Sequence, residues 1–199
     1  MPPVAERNEF EPAGFHSLVE GQPTAESLGE ALLGSLLDRA HLLPARLVGP
    51  LVAQEVHAAG GSEVAIYLQD YDQAHLQPLA GEGLTGTRVA IDTSPAGRAF
   101  ATDHPVEETL PDGSVRLYLP MLDGSDRVGV LALRLPAVND ADRRLARRLA
   151  GLVADMIVTK NEYTDTFARA RTAEPMSLAA QLQRRTLPPL AMNTPVVAL

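Results

Sequence analysis

Cysteine is absent from the 199-residue chain. That excludes a disulfide, a thiolate metal site, a cysteine nucleophile and a thioether-linked chromophore. Basic charge is short: 17 Lys and Arg stand against 25 Asp and Glu, a formal net charge of −8. A net-negative surface repels phosphate backbones, so sequence-independent nucleic-acid binding is not expected. No run approaches the roughly 18 uncharged apolar residues that span a bilayer. The first ten residues, MPPVAERNEF, carry charge and no apolar core, unlike a signal peptide. The chain is therefore expected to be cytoplasmic, with no nucleic-acid or membrane partner. Catalytic signatures are missing too. There is no GxSxG elbow, no P-loop and no GxGxxG opening a helix. His16, His41, His57, His75 and His104 form no HxxxH or HxH pair, and Asp70-x-Asp72 lacks the rest of a calcium loop. No catalytic residue, metal site or cofactor is expected in this chain.

What is present reads as a globular domain with tails. Hydrophobic residues make up 45% and charged residues 21%, a composition that can bury a core. Residues 1–23 hold Pro2, Pro3, Pro12, Gly14, Gly21 and Pro23 and read as a flexible leader. From residue 24 the pattern becomes helical, with Leu28, Leu32, Leu36 and Leu37, then Leu47, Leu51, Val52 and Val56. Pro50 costs a helix interior about 3 kcal/mol, so a break or a first-turn position is expected there. Residues 63–69 alternate Val64, Ile66, Leu68 with Ala65, Tyr67, Gln69, the period of a strand. Short strands follow at 75–79 and 88–91. A short helix is expected over 94–102, with Ser94 as N-cap and Pro95 in its first position. Residues 115–119 and 128–135 form a hairpin around Asp123-Gly124. Asn139 or Asp140 caps a helix expected to run to about Arg171.

Three strings resemble the GAF domain, a sensing module of α/β/α build: Tyr67–Tyr71 (YLQDY), Ser94–Val106 (SPAGRAFATDHPV) and Leu117–Leu133 (LYLPMLDGSDRVGVLAL). The resemblance spans about residues 24–165. It implies an α+β fold: a central antiparallel sheet with the N-terminal helices and the long C-terminal helix on one face. A short helix and loops cover the other. Further on, Met176–Leu190 (MSLAAQLQRRTLPPL) is similar to the linker before the metal-dependent Ser/Thr phosphatase domain of bacterial sporulation and stress regulators. Gln183 and Leu187-Pro188-Pro189 match, while Thr186 stands where Leu is usual. The expected organisation is a leader at 1–23, a sensor and dimerisation domain at 24–172, and a linker at 173–199 into a downstream phosphatase domain. Mn or Mg is expected only in that downstream domain.

The candidate ligand site follows from strand parity. Tyr67 and Tyr118 point away from the apolar faces of their strands, and with Arg98 they offer polar tips around a pocket. The simpler reading is that the tyrosines plug that face with their hydroxyls reaching solvent. Either a small molecule or a protein would then supply the signal. The candidate partner surface is the long helix. Leu149, Leu152, Met156, Tyr163 and Phe167 run near heptad spacing, and about 30 helical residues reach on the order of 45 Å, further than one sheet needs. This predicts a homodimer through that stripe.

Overall fold

The computed structural model describes residues 25–40, 42–161 and 166–171. Six strands form one antiparallel sheet: β1 (Ser62–Gln69), β2 (His75–Pro78), β3 (Val89–Ala90), β4 (Val106–Thr109), β5 (Val115–Asp123) and β6 (Asp126–Leu135), in the order β3-β2-β1-β6-β5-β4. Alternation decides which layer each side chain joins. Val64, Ile66 and Leu68 of β1 and Leu117, Leu119 and Met121 of β5 enter the main core. Ala65, Tyr67, Val130 and Ala132 face the other way, into a smaller cluster with Ala96, Ala99 and Phe100.

The main core is closed by α1 (Ala25–Ala40), α2 (Val48–Ala58) and α4 (Asp140–Asn161), the small cluster by α3 (Pro95–Thr102). The fold is thus α+β with three layers, as the sequence implies. Pro50 sits in the first turn of α2, where the missing N–H has no intrahelical partner to lose. A 3-10 turn, Ala45–Leu47, precedes it. Ser94 caps α3: its Oγ accepts from the Gly97 N–H at 2.9 Å, with Pro95 next in the chain. Asn139 caps α4, accepting from the Ala141 and Asp142 N–H groups at 2.7 and 3.0 Å. Asp142 reciprocates by accepting from the Asn139 N–H at 2.9 Å, a closed capping box.

Three features differ from the sequence reading. The hairpin strands reach Asp123 and Asp126, so Gly124 (φ +59°) and Ser125 alone make the turn. Met121 pairs with Gly129 but Leu122 with Arg127; the bulge at Val128 turns that side chain into the main core. A strand not expected from sequence, β4, pairs with β5 at the sheet edge. Most consequentially, the C-terminal region is described in two pieces, with residues 162–165 outside the described residues. α4 ends at Asn161 after 22 residues, and a short α5 (Thr166–Ala170) packs against α4 and the 3-10 turn. Phe167 is 1% exposed in the main core, together with Leu149 and Met156. Leu152 is half-buried against the same core. These side chains therefore do not form a free stripe along an overhanging helix, and Tyr163 lies outside the described residues. Among the described residues no helix is long and apolar enough to cross a membrane.

Candidate functional site

On its α3 side the sheet borders a hollow walled by Tyr67 and Tyr118. Ala132 of β6 lies opposite both Ala65 of β1 and Tyr118 of β5. Tyr67 stands one row further along, opposite Val130. Both alanines are fully buried, so Tyr67 and Tyr118, and not the alanines, border the open space. Above it, the loop Thr85-Gly86-Thr87 and the first turn of α3, Ser94–Ala96, form a partial roof. The space enclosed is about 440 Å³, within the size range of small-molecule sites.

Gly86 is required where the loop crosses Tyr67. Its φ is +114°, and a Cβ there would lie 2.8 Å from the Tyr67 Oη and 3.2 Å from the Ala65 Cβ. The loop is held in place by Thr85, whose N–H donates to the Val64 carbonyl at 2.7 Å. The roof on the α3 side is fixed by the Ser94 cap, whose own hydroxyl donates to the Ala90 carbonyl at 2.6 Å.

The polar end of the hollow carries charge. Glu63 of β1, at φ +48° beside a register shift, pairs with Arg116 of β5 at 2.9 Å and also with Arg134 of β6. Arg134 in turn pairs with Asp112 and donates to the Ser114 Oγ at 2.8 Å. Two arginines and two carboxylates leave this end near neutral. Burial raises the Tyr67 phenol above its ordinary 10.0, with the Arg116 guanidinium opposing. Burial likewise raises the Tyr118 phenol, again against Arg116, and Glu108 adds to the rise. The Tyr118 hydroxyl donates to Glu108 Oε2 at 3.2 Å. Both phenols are thus neutral donors at ordinary pH.

Of the three residues expected to line the pocket, Tyr67 and Tyr118 do so. Arg98 does not: it is exposed on the outer side of α3, because Ala96, Gly97, Ala99 and Phe100 take the buried side. Arg116 supplies the guanidinium instead, and the signal for it was parity, since it shares Tyr118's face of β5. Glu63 was missed although it shares the parity of Ala65 and Tyr67 on β1, so alternation could have offered it as well. Among the described residues no group of three or more His, Asp or Glu is placed to hold a metal ion.

No family model matches the sequence, and no curated protein matches it. Solved structures with the same fold do. The chain is similar to the GAF domain of a phosphoenolpyruvate-protein phosphotransferase from Coxiella burnetii, at 11% identity and a TM-score of 0.59, over 70% of this chain and 98% of that one. It is similar to a putative GAF sensor protein from Burkholderia vietnamiensis, at 16% identity and 0.57, over 70% and 99%. It is also similar to a free methionine-R-sulfoxide reductase from Neisseria meningitidis solved with its substrate, at 16% and 0.56, over 70% and 92%. At such identities the likeness establishes the GAF-type fold.

Proposed function

We propose that the chain is a non-catalytic sensor module that binds a small, flat, partly apolar molecule on the α3 side of its sheet. The carrying observation is the hollow of about 440 Å³ walled by Tyr67 and Tyr118, roofed by Gly86 and Ala96, and ended by the Glu63–Arg116 pair. An aromatic or heterocyclic ligand would lie against Tyr67 and Tyr118 and present a polar group to Arg116 or Glu63. The reductase activity of the Neisseria neighbour does not carry over: a chain without cysteine has no thiol to reduce a sulfoxide.

The relay would run through the sheet. Arg116 and Tyr118 alternate on β5 with Leu117 and Leu119, which face the main core where α4 packs. A ligand that shifts the first pair shifts the packing of α4 and α5. The likeness of residues 176–190 to a phosphatase linker makes a metal-dependent Ser/Thr phosphatase the proposed output, with Mn or Mg held there and not in this module. A cytoplasmic location and a homodimer belong to the same proposal. Pairing would use the outer side of α1, where Leu37 is 52% exposed. A second reading is a protein-binding scaffold whose tyrosines merely plug the face.

Fragment screening by thermal shift on the wild type and on Ala96→Leu, in the first turn of α3 that lines the hollow, separates the two. The larger side chain costs about 1–3 kcal/mol of overpacking and narrows the ligand's place. Aromatic fragments that stabilise the wild type and not the variant support the sensor. Equal responses from both proteins, or none from the wild type, leave the scaffold.

A further inference from the structure

The charged end of the hollow is near neutral, so the class of ligand it takes is set by which polar groups remain unengaged. Several hydroxyls along its walls already donate within the protein. Ser94 Oγ donates to the Ala90 carbonyl at 2.6 Å and accepts from the Gly97 N–H at 2.9 Å. Thr85 Oγ1 donates to the Val64 carbonyl at 3.2 Å. The Tyr118 hydroxyl donates to Glu108 Oε2 at 3.2 Å. Tyr67 differs. The residue is 6% exposed and lines the hollow, yet among the described residues nothing hydrogen-bonds its Oη. That oxygen lies beside the loop, where a Cβ on Gly86 would be 2.8 Å away. A phenol buried this deeply needs a partner, and the hollow is where one can come from.

Arg116 is the second group with capacity left. Its side chain is 23% exposed, and its Nη1 pairs with Glu63 Oε2 at 2.9 Å. A guanidinium carries several further N–H donors and no acceptor. Its charge opposes the raised pKa of both Tyr67 and Tyr118, so it lies near both phenols. Glu63, by contrast, is engaged on both oxygens: Oε1 faces Arg134 and Oε2 faces Arg116. A ligand cation brought to Glu63 would meet two guanidinium groups.

We propose that the hollow takes a planar organic acid, its carboxylate held by the Tyr67 hydroxyl and the Arg116 guanidinium and its ring against Tyr67 and Tyr118. This rests on the ligand reading above and adds the charge and class of the ligand. Donors converging from a phenol and a guanidinium fork fit an anionic acceptor with two oxygens. Burial keeps the Tyr67 phenol protonated and able to donate. The nearby carboxylates do not reverse the preference. Glu63 is matched by Arg116 and Arg134, and Glu108 is exposed, where water and salt weaken its repulsion.

Probes of one shape and different charge provide the test: 2-naphthoate, 2-naphthamide and 2-naphthamidine. Dissociation constants are read from the amide shifts of Gly86, Thr87 and Ala96 in the full chain. The acid should bind about tenfold tighter than the amide, and the amidine weakest. Tyr67→Phe keeps the ring and should weaken the acid about tenfold, the amide much less. Arg116→Gln should bring the acid to the level of the amide. Circular dichroism checks each fold, and Tyr67→Phe decides the matter even where Arg116→Gln misfolds. Shifts in the hollow from an amide as tight as the acid, or from a tighter amidine, overturn the acid assignment and leave the ligand reading standing. A preference for the acid that both variants retain also overturns it, because the carboxylate is then held elsewhere. No shift at these amides from any probe at saturation overturns the inference and the ligand reading together.

Discussion

Truncating Phe167 to alanine tests whether α5 belongs to the chain's own core. The side chain is 1% exposed and packs with the α1, α2 and α4 residues of the main cluster. Returning a buried phenyl to water costs about 1.5–3 kcal/mol, and the cavity left behind raises the total to about 3–5 kcal/mol. For a domain of this size each kcal/mol lowers the melting temperature by about 2–4 °C, so a fall of roughly 6–20 °C is expected. Urea unfolding should show a lower midpoint at unchanged slope. The Tyr71 N–H, which donates to the Arg171 carbonyl just past α5, should exchange faster. The loss should not depend on protein concentration, because this side chain is already buried within its own chain. A loss under about 1 kcal/mol, or one that disappears as concentration rises, would refute the reasoning and return Phe167 to an intermolecular stripe.

Ser94→Ala removes the α3 cap and should cost about 1 kcal/mol in chemical unfolding. Gly86→Val adds a branched side chain at φ +114° against the Tyr67 hydroxyl and should cost about 1–3 kcal/mol, read from the urea midpoint. Tyr67 and Tyr118 have folded pKa values above the unfolded value of 10.0, so the unfolded chain deprotonates first. Their contribution is complete below pH 10 and falls as pH rises through the folded values, and Tyr67→Phe should flatten that fall in urea midpoints taken across this range. Arg127 grips Asp103 at 2.7 and 2.9 Å, and this hydrogen bonding holds the Asp103 carboxyl below its ordinary 3.8. Both groups are largely solvated, so Arg127→Ala should cost no more than about 1 kcal/mol while raising the Asp103 pKa in an NMR titration.

The layers were legible where one residue type had one job. β1 showed a clean two-residue period, and both its faces are buried because α3 covers the second. Ser94-Pro95 announced α3, since a cap hydroxyl followed by a ring with fixed φ fits a helix start and little else. β4 was not legible. Val106-Glu107-Glu108-Thr109 has one apolar residue, and as an edge strand it is held by backbone pairing to β5, which leaves no mark on composition. The end of α4 was not legible either. Leu149, Met156 and Phe167 fit a continuous stripe as well as a helix that ends with its following segment folded onto the core, and periodicity cannot choose between them. The pocket was half-legible. Parity found Tyr67 and Tyr118 and offered Arg116 and Glu63 on the same faces, but the pairing of Glu63 with Arg116 and Arg134 depends on three-dimensional register.

In the proposed function a signal enters on the α3 side of the sheet. Amide chemical-shift mapping of the labelled chain, titrated with an aromatic fragment that raises its melting temperature, tests this most directly. The expected result is shifts centred on Gly86, Thr87, Ala96 and Tyr118, with smaller ones across the sheet at Leu117, Leu119 and α4. Shifts confined to Leu43–His57 on the other face, or none at saturating fragment, would contradict it.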